Sequence, residues 1–266
     1  MADEDASKIN FISENMDQAI IDQVRNIERT IADSFPLVSE KEEVGRLERD
    51  FADNDLVFKS KLADLKERYC HVRKTRGDGN CFYRAFGYGI LEFSRSDHTL
   101  LDRIAEKAKH TKDKLIEIGY PSYTVEDFQE TFMEVLDVTR KSENNHEILQ
   151  LFNDQGYSDY LVVFLRLMVS CYLQCNQEFY LHFVDGYNSM KEFCSQEVEP
   201  MAKESDHIHI IALSNSLNVT IQVEYMDRSG DENKVNSHLF PDDGSKPVVH
   251  LLYRPGHYDL LYPNGG

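Results

Sequence analysis

Thr75-Arg76-Gly77-Asp78-Gly79-Asn80-Cys81 is a glycine-punctuated loop that delivers a cysteine to the start of a helix, predicted over residues 81–91. Glycines reach backbone conformations closed to other residues, so successive N–H groups can turn toward one point. Backbone donors at Asp78, Gly79 and Cys81 would then face the place where an oxyanion forms after attack by the Cys81 sulfur. The helix behind Cys81 aims its positive end at the same sulfur and favours thiolate over thiol. The competing reading is a small buried thiol beside a glycine turn, the ordinary fate of an intracellular cysteine. Calcium binding fails at Asp78-Gly79-Asn80, which lacks the rest of an EF-hand loop. It fails too at Asp227-Arg228-Ser229-Gly230-Asp231, where Glu232 follows in place of the required glycine.

A nucleophilic cysteine needs a base and a group that orients it. His257 follows Pro255-Gly256 and opens the last predicted strand, with Asp259 two residues on. Residues i and i+2 of a strand share a face, about 6.7 Å apart along the chain. Asp259 is therefore expected to hold Nδ1 of the imidazole and to present Nε2 to the sulfur. His207 and His209 stand two apart in a predicted helix, face different directions and cannot readily share a metal. His71, His98, His110, His146, His182, His238 and His250 lack a carboxylate on a matching face. Cys171 and Cys175 share a helix face but match no zinc pattern, so buried thiols are expected. No metal and no cofactor is expected.

Composition sets the outer bounds. The 266 residues are 41% hydrophobic and 29% charged, as in a globular protein of one large domain or a domain with a helical extension. A formal charge of -18 argues against nucleic acid and favours partners with a basic face. The start of the chain is acidic with no apolar run behind it, so no secretory signal is expected. The most apolar stretch, Tyr160 to Leu173, is short for a bilayer and carries Arg166, so a core helix is expected and no membrane partner. Five cysteines without disulfide spacing point to a reducing compartment, with the cytoplasm expected first and the nucleus second. The Asn218-Val219-Thr220 sequon is then accidental. A monomer is expected.

Residues 1–13 are acidic and unpatterned, and a disordered terminus is expected there. Over residues 14–35, Met16, Ile20, Val24, Ile27 and Ile31 recur at three or four residues, the pattern of an amphipathic helix. The main domain is expected over 36–262, with a flexible tail at 263–266. Within it, a helix is predicted over Ser39 to Asp50, with Ser39 and Glu42 as a capping box. Others are predicted at Leu56 to Arg68, 99–117, 124–140, 145–153, 158–175 with Ser158 as cap, 177–184, 187–195 and His207 to Leu217 with Ser205 as cap. Strands are predicted at Val219 to Tyr225, Val248 to Tyr253 and His257 to Tyr262. The fold class is α+β, a helical lobe packed on a small, mostly antiparallel sheet.

Two segments carry a family resemblance. Asp78-Gly79-Asn80-Cys81-Phe82-Tyr83-Arg84-Ala85 resembles the catalytic-cysteine motif of ovarian-tumour (OTU) deubiquitinases, and Tyr253-Arg254-Pro255-Gly256-His257-Tyr258-Asp259 resembles their histidine motif as otubains carry it. The likeness continues through Phe35 to Glu40, Ser158 to Val163, Glu197 to Met201 and Ser205 to Ile210. It implies a papain-like cysteine protease fold with Cys81 as nucleophile, His257 as base, and Asp259 and Asp78 in the site. It also implies partners: ubiquitin and polyubiquitin chains of the proteasome-targeting linkage, and ubiquitin-conjugating (E2) enzymes, which such proteins block without catalysis. The segment 14–35 resembles the ubiquitin-binding arm of one otubain type. Gly77 departs from that type, which often has proline there.

Overall fold

In the computed structural model the described residues are 35–52 and 54–265, together with Gln23 and Thr30. The chain divides into two compact units, residues 1–36 and 37–266. Of the arm helix expected over 14–35, Gln23, Thr30 and Phe35 are described; Met16, Ile20, Val24 and Ile27 lie outside the described residues, as do residues 1–13.

In the second unit, seven helices of eight residues or more are described: α1 (Leu56–Arg68), α2 (Cys81–Ser94), α3 (His98–Glu117), α4 (Ser122–Lys141), α5 (His146–Asn153), α6 (Gln155–Cys175) and α7 (His207–Leu217). Six strands accompany them: β1 (Glu42–Glu43), β2 (Tyr69–Arg73), β3 (Ile221–Tyr225), β4 (Asn236–Phe240), β5 (Val249–Arg254) and β6 (His257–Pro263). The sheet runs β1-β2-β6-β5-β3-β4, antiparallel at every pairing except β3 with β5. This is the expected α+β class, with twice the predicted number of strands.

The sheet is covered on both faces, and β6 shows why. Its alternating side chains send Leu260 into the large core shared with α2 and α6, and Leu261 into a second core with Leu47, Leu62, Leu65 and Val72. Full burial of each such leucine stabilises by roughly 1.5–3 kcal/mol. α2 lies against β5, β6 and α6, at the centre of the molecule. Gly89 permits that approach: a Cβ there would sit 2.6 Å from Leu260 Cδ1. The position of α2 fixes where Cys81, its first residue, emerges.

Several local expectations change. Residues 39–50 are not an α-helix: Glu42 and Glu43 pair with Val72 and His71, and Val44–Asp50 is 3-10. Ser39 receives the Lys74 N–H at 2.7 Å instead of capping a helix. Val44 and Leu47, three apart, suit the three-residue turn and face the second core. Asp154 caps α6 through the Tyr157 N–H, because Ser158 is buried and accepts from Arg84 Nε at 3.1 Å. Asp206 rather than Ser205 caps α7, in a capping box with His209. α6 is long and apolar enough to cross a membrane, but 67% of its apolar window is buried in this fold.

Candidate active site

Cys81 is buried at the N-terminus of α2, 5% exposed. The loop before it is shaped by Asp78, whose carboxylate receives Arg84 Nη1 at 2.8 Å on each oxygen and the Asn80 N–H at 3.0 Å. Arg84 is fully buried. Gly79 has φ +75°, and a Cβ on it would stand 2.2 Å from the Ala202 carbonyl oxygen, so only glycine fits. Asn80 occupies the N-cap position without capping, because its Oδ1 receives Arg166 Nη2 at 2.8 Å and the Ala202 N–H at 2.9 Å.

The three expected oxyanion donors are not equivalent. The Asp78 N–H is given to the Arg76 carbonyl at 3.0 Å, so it is spent within the loop. The N–H groups of Gly79 and Cys81 have no hydrogen-bond partner among the described residues. Of the three expected donors, the resting loop therefore engages that of Asp78 and leaves the other two without a partner among the described residues. The tight Arg76–Asp78 turn is the physical reason. A Cβ at Gly77 would lie 3.6 Å from His257 Nδ1, an ordinary contact that leaves the ring in place.

The structure brings His257 and Asp259 together through the strand spacing, but with the ring turned opposite to expectation. His257 Nε2 meets Asp259 Oδ1 at 2.8 Å, which leaves Nδ1 on the side of Gly77 and Cys81. Asp259 is fully buried and saturated: Oδ1 also receives the Thr75 N–H at 3.0 Å, and Oδ2 receives Arg254 Nη2 at 2.6 Å. Arg254 in turn holds Asp50 at 2.9 Å. Burial alone would push the His257 pKa down. The Asp259 hydrogen bond, the Cys81 hydrogen bond and the charges of both outweigh it, carrying His257 to about 9. Burial raises Asp259, yet His257, Arg254 and Thr75 together hold it below its usual value. An imidazole that carries a proton beside a cysteine sulfur can serve the sulfur as nucleophile by holding the proton that a leaving group needs.

A cleft of about 490 Å³ opens at Cys81, walled by Glu204, Asp206, Asp227, Tyr225, Tyr253 and Tyr258. None of these, nor Arg166 and Arg254, was singled out as a site residue from sequence. A guanidinium in the middle of an otherwise apolar helix is the one signal that could have drawn attention to Arg166. Asp227 is placed by Lys61, a fully buried lysine whose Nζ donates to the Asp227 and Ser229 carbonyls at 2.8 and 2.9 Å. His207 Nε2 lies 3.0 Å from the Tyr225 hydroxyl, which fixes one aromatic wall. Cys171 is buried, and burial followed by the neighbouring Cys175 pushes its thiol up to about 12, so it stays protonated.

An α+β fold that sets a cysteine at the head of a central helix, against a histidine and a buried aspartate on the adjoining strand, defines a papain-like cysteine peptidase of the OTU class. The model of the peptidase C65 otubain family matches residues 30–263. Human ubiquitin thioesterase OTUB1 (Homo sapiens) is 48% identical over 258 residues, 97% of this chain and 94% of that protein. Human ubiquitin thioesterase OTUB2 is 39% identical over 229 residues, 86% of this chain and 96% of that protein. A solved complex, h/ceOTUB1-ubiquitin aldehyde-UBCH5B~Ub, superposes with a TM-score of 0.87 at 35% identity, covering 93% of this chain and 98% of that one. The chain belongs to the otubain family of cysteine peptidases.

Proposed function

We propose that this chain is a deubiquitinating isopeptidase, cleaving polyubiquitin of the proteasome-targeting linkage, with Cys81 as nucleophile. The observation that carries the reading is the buried Asp259 holding His257 charged beside Cys81, at the mouth of an acidic cleft. Cys81 thiolate attacks the carbonyl of ubiquitin's terminal glycine, and the Gly79 and Cys81 N–H groups receive the developing oxyanion. His257 gives its proton to the departing lysine amine, and Asp259 stabilises the imidazolium. Water, deprotonated by His257, then attacks the thioester carbonyl; collapse expels the Cys81 thiolate beside the recharged imidazole and releases the ubiquitin carboxylate, the acid's proton passing to solvent. Glu204, Asp206 and Asp227 suit the arginines of ubiquitin's tail. The kinship with OTUB1 and its solved complex with ubiquitin aldehyde support the same substrate.

A second reading concerns ubiquitin-conjugating enzymes. The solved OTUB1 complex contains UBCH5B~Ub, and the Asp78 N–H spent on Arg76 leaves the resting oxyanion hole one donor short. Both favour a protein that also docks on charged conjugating enzymes and blocks chain synthesis without catalysis. One experiment separates the roles: a di-ubiquitin linkage panel and a chain-synthesis assay with wild type, Cys81→Ser and a chain lacking residues 1–35. Cleavage by Cys81→Ser would refute the nucleophile. Inhibition that survives in Cys81→Ser establishes the non-catalytic role, and unchanged behaviour of the truncated chain would refute a ubiquitin-binding arm.

A further inference from the structure

Arg166 sits fully buried in the middle of α6 and makes no ion pair among the described residues. Its guanidinium is given over to carbonyl-type acceptors instead. Nη1 donates to the Val198 carbonyl at 2.9 Å, and Nη2 to the Gly79 carbonyl at 3.0 Å, Asn80 Oδ1 at 2.8 Å and the Lys203 carbonyl at 2.8 Å. The group also lies 4.5 Å over the centroid of the buried Tyr83 ring. Burying a charge without a counter-ion is costly, and a side chain that only packed would do the core more good.

The acceptors belong to two segments. Gly79 and Asn80 form the loop that delivers Cys81. Val198 and Lys203 bound the stretch leading into Glu204, Ser205 and Asp206 on the cleft wall. Asn80 Oδ1 joins the two by also receiving the Ala202 N–H. Gly79, at φ +75°, lies so near the Ala202 backbone that no side chain would fit between them.

We propose that Arg166 is a positioning residue for the oxyanion step: it locks the Gly79–Asn80 peptide against residues 198–203, so that the Gly79 and Cys81 N–H groups stay aimed at the reacting carbonyl oxygen. The inference rests on the reading of Cys81 as the nucleophile of a ubiquitin hydrolase. A preorganised donor pair is worth far more than one that must reorient during the reaction. Arg166 also brings a positive charge within electrostatic reach of Cys81. A lysine would keep that charge but could not span four acceptors in two segments.

Two reactions of Cys81 separate this role from general support of the fold. Alkylation by iodoacetamide needs the thiolate and no oxyanion, whereas hydrolysis of a ubiquitin C-terminal aminomethylcoumarin amide needs both. Arg166→Lys is expected to lower kcat for hydrolysis by about tenfold or more, with KM and the alkylation rate within about twofold of wild type. Asn80→Ala should show the same split. Asn80→Asp, which keeps the acceptor for Arg166 and Ala202, should restore hydrolysis to within about threefold of wild type. If Arg166→Lys does not fold, the two Asn80 variants decide the question alone. Hydrolysis and alkylation falling in equal proportion, or hydrolysis left intact, would overturn the proposal. A wild-type chain that is alkylated but hydrolyses neither this amide nor any di-ubiquitin of the linkage panel overturns the deubiquitinase reading, and this inference with it.

Discussion

Arg254 and His257 divide the Asp259 carboxylate between them, the guanidinium taking Oδ2 at 2.6 Å and the imidazole Oδ1 at 2.8 Å. The aspartate is fully buried, so each oxygen needs its donor. Arg254→Met would leave one oxygen of a buried carboxylate unpaired and release the Asp50 contact. The expected cost is about 3 kcal/mol of stability, read as a lower urea midpoint at unchanged slope. Hydrolysis should also fall, because the carboxylate becomes free to turn away from the imidazole.

His257 should control the alkaline limb of the pH–rate profile. Its pKa of about 9 lies above the ordinary 6.5, so the imidazolium that protonates the leaving amine is present below both values and is lost as the pH rises through about 9. The stabilisation from its pairing follows the same window, complete below about 6.5 and gone above about 9. Asp259→Asn removes the main source of the upward shift. Its alkaline limb should move down toward 6.5, with kcat reduced by roughly a hundredfold or more. A limb that stays near 9 would show that another group titrates there.

Gly79→Ala should be among the most damaging single-methyl changes in the chain. The new Cβ meets the Ala202 carbonyl oxygen at 2.2 Å, backbone against backbone, and φ +75° adds strain of about 1–3 kcal/mol. Hydrolysis should drop by at least about a hundredfold. Gly244→Ala is the control, since φ is +83° there but nothing lies within 4 Å of the new Cβ. It should lose some stability and no activity.

Lys61→Met tests the cleft wall from behind. The ammonium satisfies two carbonyls of the segment that carries Asp227, and its removal leaves both unpaired at a cost of about 1–3 kcal/mol. Asp227 then loses its fixed place on the wall, so KM for a ubiquitin conjugate should rise while kcat stays near wild type. A fall in kcat at constant KM would contradict this role.

The elements with strong periodicity were legible without coordinates. The helix expected around Leu56 to Arg68 is there, and α3, α4 and α5 end within two residues of the bounds read from sequence. Helix caps were harder where two polar residues compete within a few positions. Ser158 and Ser205 look as good as Asp154 and Asp206 in sequence, but Ser158 is buried against Arg84, and the capping box with His209 gives the other role to Asp206. The strands β1, β2 and β4 were not anticipated. β4 is a half-exposed edge with little alternation, and β1 is two residues long, so each is defined by its partner strand more than by its own residues.

The sequence by itself determined the fold class, the cysteine at the head of a helix, and the pairing of His257 with Asp259. All three follow from local patterns: a glycine loop, a helical period and a strand spacing of two. Only the tertiary structure decided that Nε2 and not Nδ1 meets the aspartate, that the Asp78 N–H is spent on Arg76, and that Arg166 holds the loop from 87 residues away. Those choices turn on contacts between distant segments and on which buried polar atom finds a partner, and neither quantity leaves a periodic trace in the chain.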